Sequence, residues 1–138
     1  MFEKIVLAID ESDFAPKVLK AAEEFGSKFG SEFRVVHVLE TGFAGRAGAV
    51  YLESSEEAHH MVNEAVAGLE SKGFNASGTV RAGLHGRLAV EINDEASTFG
   101  ATLIIVGTRG LTDIEGMLLG STSHRLMHLS ALPVLVIP

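Results

Sequence analysis

The chain has 138 residues, 46% of them apolar, a formal charge of -7 and no cysteine. That length buries a substantial core in one globular domain spanning residues 1–138, and the acidic balance disfavours nucleic acid or a membrane surface as the main partner, because phosphate backbones and anionic lipids select basic faces. Without thiols, disulfides, thiolate metal sites and cysteine redox chemistry are excluded.

The opening MFEKIVLAID lacks the form of a signal peptide and no stretch is apolar over a membrane's thickness, so the expected location is cytoplasmic. KIVLAI, Lys4 to Ile9, is a short β-branched run bounded by DESD and suits a strand buried on both faces. Phe14, Val18, Ala21, Ala22, Phe25 and Phe29 then recur at helical spacing, with Ser12 or Asp13 as N-cap, Pro16 in the first turn and Gly30 as the stop. FRVVHVL, Phe33 to Leu39, repeats the buried-strand pattern, and ETGFAGRAGAV reads as a flexible glycine-rich loop. A long helix is expected from about Leu52 to Ser71. NASGTVRA, Asn75 to Ala82, is less apolar and alternates, which suits a strand at the sheet margin. Arg87 to Phe99 reads as the third helix, with Leu88, Ile92, Ala96 and Phe99 on one face. ATLIIVG is the fourth strand, Ser121 to Ser130 the fourth helix and PVLVI the last strand.

Strands alternating with long helical segments imply right-handed βαβ crossovers and an α/β fold: one open, parallel, five-stranded sheet with helices on both faces. The first and fourth strands are among the most apolar, so both belong at the centre, and the order is 3-2-1-4-5. Connections then leave the two central strands in opposite directions, and a crevice opens between their carboxyl ends, where open α/β sheets bind ligands. Ile9, Asp10 and Glu11 stand at one side of that crevice; Gly107, Thr108, Arg109 and Gly110 stand at the other.

The segment GTRGLTDIEGMLLGSTSHR runs from the crevice into the first turn of the fourth helix. A helix N-terminus presents free N–H groups and partial positive charge, and glycines let a phosphate approach the backbone. Ser121, Thr122 and Ser123 add hydroxyls there. On local chemistry alone, the glycines read equally as turn residues and Ser121 as a helix cap. The segment is neither a Walker loop, lacking GKS or GKT, nor the dinucleotide fingerprint GxGxxG.

Its spacing, G-x2-G-x9-G-S over Gly107, Gly110, Gly120 and Ser121, resembles the nucleotide-binding signature of the universal stress protein family. The resemblance covers essentially the whole chain: IVLAIDESD is similar to the family's opening strand and acidic turn, VVHVLE to its second strand, GATLIIVGTRG to its fourth, and LLGSTSHRLMHLSALPVLVIP to its closing helix and strand. It implies a fold of the adenine nucleotide alpha hydrolase type that binds ATP with Mg2+. By the same resemblance, Asp10 contacts the nucleoside, Ala8 and Ile9 line its pocket, and the Val38 backbone pairs with the adenine edge. Gly107, Thr108, Arg109 and Gly110 form the ribose and phosphate turn; Gly120, Ser121, Thr122 and Ser123 cradle the phosphates. Glu11, Asp113 and Glu115 add negative charge around the loop, which a divalent cation or Arg109 would offset. The family also pairs through its last strand, which implies a homodimer joined at Val134, Leu135, Val136 and Ile137.

The function so implied is that of an ATP-binding, nucleotide-dependent regulator or stress-response factor. The alternatives are a nucleotide-independent dimeric scaffold for partner proteins, and a slow ATPase or autophosphorylating protein with Ser121 or Thr122 as acceptor. No catalytic set stands out, since no Ser occupies a G-x-S-x-G elbow and no His/Asp partners are spaced to activate Ser121. A phosphoacceptor receiver shares the acidic pair Asp10-Glu11, yet the third strand ends in TVRAG without the required Asp. His124 and His128 lie four apart on the last helix, at metal-ligating spacing but with no third ligand, so a solvated helix face is the simpler reading and no metal site is assigned. His37 reads as a satisfied core histidine, and His85 lies at the crevice end of the sheet.

Overall fold

The alternation of apolar runs and helical stripes is borne out in the computed structural model, which describes residues 1–10, 15–43, 49–51, 54–84, 86–107 and 121–138. The elements are β1 (Lys4–Ala8), α1 (Ala15–Phe29), β2 (Glu32–Phe43), β3 (Ala49–Tyr51), α2 (Ser55–Ser71), β4 (Asn75–Leu84), α3 (Leu88–Phe99), β5 (Leu103–Gly107), α4 (Ser121–Leu129) and β6 (Val134–Ile137). Five strands run parallel in the order β4-β2-β1-β5-β6, the expected 3-2-1-4-5. β1 lies between Phe33–Val36 on one edge and Leu103–Val106 on the other, and Ile5, Val6 and Leu7 are wholly buried. A strand covered on both faces has no polar side to show, which is why it reads as a continuous apolar run.

Successive side chains point to opposite faces, so each strand feeds two cores. Val6, Ala8, Val36 and Val38 pack under α3 and α4 with Ile92, Ala96 and Leu126. Ile5, Leu7, Phe33 and Val35 pack under α1 and α2 with Val18, Ala22, Val62 and Leu69. α1 stops where expected: Gly30 takes φ +63°, a left-handed conformation that side chains disfavour, and donates its N–H to the Gly26 carbonyl at 2.9 Å.

Two expectations are corrected. The segment expected as a flexible loop instead extends β2 to Phe43 and carries β3, which pairs antiparallel with it from Thr41↔Tyr51 to Phe43↔Ala49. Thr41 is also in register with Leu84 of β4, so β3 must lie on the other edge of β2, the edge that β1 occupies lower down. The helix expected from about Leu52 begins at Ser55, capped by the Ser54 side chain, which accepts from the Glu57 N–H. The expected caps Ser12 and Asp13 lie outside the described residues.

α3 is fastened to the sheet by charge as well as by packing. Glu95, 5% exposed, accepts from Arg34 of β2 at 2.9 Å and from Arg81 of β4 at 2.8 Å. Arg81 also reaches Glu91 at 2.9 Å, and Arg34 reaches Ser77 at 2.8 Å. Burial works against the Arg81 charge, but the hydrogen bonds to Glu95 and Glu91 outweigh it and hold the guanidinium above its ordinary pKa. The charge therefore persists at every pH at which the protein is handled.

Candidate functional site

The carboxyl ends of β1, β2 and β5 converge on a cleft of about 540 Å³, the open space at its mouth included. Its walls are aliphatic: Ala8, Val36 and Val38 from β1 and β2, Val106 from β5, Leu88 and Ile92 from α3. Ile9 and Asp10 stand at one side, Gly107, Thr122 and Ser123 at the other. The cleft thus lies at the topological switch point, where β1 and β5 send their connections to opposite sides of the sheet.

Both sides of the mouth are latched by a side chain bonded to backbone. His37, 3% exposed, has Nδ1 2.8 Å from the Ile9 carbonyl, and because a carbonyl only accepts, Nδ1 carries the proton. The Ile9 N–H is itself donated to the Val36 carbonyl at 3.0 Å, so β1 is held to β2 beyond its last ladder residue and Asp10 is delivered to the rim. On the other side, Ser123, 1% exposed, donates its hydroxyl to the Gly107 carbonyl at 2.8 Å. That bond ties the first turn of α4 to the end of β5. The first-turn N–H groups of a helix have no intrahelical partner and carry partial positive charge, so this rim suits an anion.

Of the residues expected at the site, Ala8, Ile9, Asp10, Val38, Gly107, Thr122 and Ser123 come together around the cleft. Thr108, Arg109, Gly110 and Gly120, the side chain of Ser121, and the neighbouring Glu11, His85, Asp113 and Glu115 lie outside the described residues. Ala15, Val18, Val36, His37, Leu88, Ile92 and Val106 also line the cleft, although the sequence does not mark them as site residues. Leu88 and Ile92 were already visible on the apolar stripe of α3; combining that stripe with the predicted crevice was the available signal. Among the described residues there is no group of three or more His, Cys, Asp or Glu that could hold a metal ion, and no helix is long and apolar enough to cross a membrane.

A parallel sheet wound in both directions from its centre, with a walled cleft at the reversal, defines an α/β protein of the open, doubly wound class. Within that class the chain belongs to the universal stress protein family, whose model matches residues 1–138. Universal stress protein YxiE of Bacillus subtilis (strain 168) is 33% identical over 150 residues, spanning 99% of this chain and 99% of that protein. Among solved structures, MJ0577 of Methanocaldococcus jannaschii is similar with a TM-score of 0.79 at 27% identity, covering 99% of this chain and 96% of that one. The universal stress protein from Archaeoglobus fulgidus, solved in complex with dAMP, is similar with a TM-score of 0.72 at 26% identity over 100% of both chains.

Proposed function

We propose that the cleft binds an adenine nucleotide, ATP with Mg2+, and that the protein works in the cytoplasm as a homodimeric regulator or stress-response factor whose state follows the nucleotide. The observation that carries this reading is the pairing of an aliphatic slot with a helix N-terminus at the switch point of the sheet. A flat apolar base fits between Val38 and the α3 wall of Leu88 and Ile92, with its polar edge met by the β2 backbone at Val38. Asp10 takes the ribose hydroxyls, since a carboxylate accepts from two neighbouring donors. Phosphates then point toward Gly107 and the first turn of α4, where Thr122 adds a hydroxyl. In the sequence signature, Thr108, Arg109, Gly110, Gly120 and Ser121 complete that side, with Ser123 holding the turn in place. The dAMP complex of the Archaeoglobus fulgidus relative supports the adenine part of the reading.

Mg2+ fits this arrangement as a companion of the phosphates, because it keeps several waters and binds through one or two carboxylates plus phosphate oxygens. Bound there, it would neutralise charge on the phosphate chain. The test is thermal unfolding with and without ATP and Mg2+. At about a hundredfold excess over the dissociation constant, ATP stabilises a binding protein by about 2.7 kcal/mol. Asp10→Ala should weaken ATP and adenosine alike, because its contact is with the nucleoside. If no adenine nucleotide shifts the parent's unfolding, the reading falls, and the dimeric scaffold built on the open β6 edge takes its place. Release of labelled phosphate, or its appearance on Ser121 or Thr122, would identify a slow ATPase or autophosphorylating protein instead of a regulator that only binds.

A further inference from the structure

We infer that His124 and His128 form a two-imidazole chelate for an exchangeable divalent transition-metal ion on the outer face of α4. The two residues are one helical turn apart, and their ring centroids lie 4.8 Å from each other at an interplanar angle of 69°. Both side chains are exposed. Residues at i and i+4 have their Cβ atoms about 5–6 Å apart on one face, and both side chains lean toward the helix N-terminus, so the imidazoles reach the same volume of solvent. Nitrogen ligands at about 2.0–2.1 Å from a common ion stand roughly 3 Å from each other. Rings already in edge contact reach that separation by rotation about χ1 and χ2, without moving the backbone.

The surroundings leave room for the rest of a coordination sphere. His128 also lines a groove between α3 and α4 of about 620 Å³, the open space at its mouth included, together with Gly86, Ala89, Val90, Arg125 and Leu129. Arg125, the single Lys or Arg in α4, shares that groove, and its guanidinium donates to the Gly86 carbonyl beside α3, which directs its positive charge to that backbone. The donor set selects the metal. Imidazole suits Cu2+, Ni2+ and Zn2+, whereas Mg2+ and Ca2+ demand oxygen, so this ion is different from the one proposed to accompany ATP. Two protein ligands fall short of the four of a structural zinc site, so the ion keeps water or small-molecule ligands and exchanges. A metal bridge across one turn also favours the helical state of α4, the element whose first turn rims the cleft.

The experiment is a calorimetric titration of the whole, nucleotide-free protein with Ni2+ and with Cu2+, repeated on His124→Gln, His128→Gln and, as a control on a different helix, His59→Gln. Parent and His59→Gln should bind one ion through this site, Cu2+ more tightly than Ni2+, and Mg2+ should not compete. Each of the α4 variants should lose more than about tenfold in affinity, since even outer partners of a metal ligand commonly cost that much. Both histidines are exposed, so circular dichroism should be unchanged by either substitution. In the parent, NMR signals of both rings should broaden or shift on Ni2+ addition. A parent that binds no Ni2+ or Cu2+ overturns the inference, as does affinity that survives either α4 substitution. Because no nucleotide is present, either result leaves the ATP reading intact, and failure of the ATP reading leaves this one intact.

Discussion

His37 and Ser123 do similar work from opposite sides of the cleft. Each is buried, and each spends a side-chain hydrogen bond on the backbone at the end of a central strand: His37 at Ile9 and Ser123 at Gly107. A serine in the first turn of a helix after a glycine loop reads naturally as a phosphate contact. The fold commits the Ser123 hydroxyl to a carbonyl sixteen residues earlier in the chain, a partner that becomes visible only once β5 and α4 are adjacent. Ser123→Ala would remove this bond to the Gly107 carbonyl at the mouth of the cleft. The expected cost is about 1 kcal/mol, the usual net contribution of one intramolecular hydrogen bond. Urea unfolding should show it as a lower midpoint with an unchanged slope, in the absence of any nucleotide. An unchanged midpoint would mean that water or a neighbour replaces the bond, and Ser123 would return to being a ligand contact alone.

At the scale of elements, glycines with opposite surroundings give a paired prediction. Gly68 lies on the exposed face of α2 with nothing within 4 Å of where a Cβ would sit. Gly68→Ala should therefore stabilise by about 1 kcal/mol, the difference in helix propensity. Gly78 lies in β4 where α2 crosses it, and a Cβ there would fall 2.4 Å from Val62 Cγ1 and 2.9 Å from Val66 Cγ2. Gly78→Ala should destabilise by about 1–3 kcal/mol, since two β-branched side chains would have to move within a packed layer. Thermal melts of the two variants should shift in opposite directions; the same sign for both would mean that α2 does not sit on β4 as described. The other elements show what the sequence made legible. β1, β5 and β6 were plain because strands buried on both faces, or nearly so, must be apolar throughout. The β2–β3 hairpin was hidden because Gly42 is one of its pairing residues and Gly45 and Gly48 fall between its two pairing segments, and strand propensity at Thr41, Phe43, Val50 and Tyr51 is set by the partner strand more than by composition. The Arg34, Arg81 and Glu95 network was equally hidden. Its members come from β2, β4 and α3, and no local period links a strand arginine to a helix glutamate. The cleft was legible to the extent that it follows from strand order; its α3 wall required the apolar stripe of Leu88 and Ile92 to be set against that crevice, which depends on which face of the sheet α3 covers.

At the scale of the whole molecule, the two margins of the sheet differ. β4 is bordered on one side by β2 and carries Asn75, Ser77, Thr79 and Arg81, side chains that tolerate water. β6 hydrogen-bonds to β5 alone among the described strands, yet reads Val-Leu-Val-Ile, with Val134 and Val136 packed against one core and Leu135 and Ile137 against the other. All four residues are only half-buried. Val134–Ile137 carries no charge to blunt it, prolines standing only at its two ends as Pro133 and Pro138, and an apolar edge strand of this kind recruits another strand or, without a defined partner, drives aggregation. Pairing β6 with β6 of a second copy about a twofold axis closes the arrangement, because each copy uses up the same edge. The prediction is a dimer by light scattering at micromolar concentration. Its unfolding should also depend on protein concentration, since two unfolded chains arise from one folded pair, and raising the concentration should raise Tm. Val136→Asp sets a carboxylate into the middle of that edge. Because Val136 also packs inward, the variant should be less stable than the parent at every concentration, so a lower Tm by itself decides nothing. What decides it is the slope: the parent's Tm should climb with concentration, while the variant's should stay flat and its mass should fall to that of one chain. A parent whose Tm is flat, or a variant that keeps both the slope and the doubled mass, would remove β6 as the dimer interface.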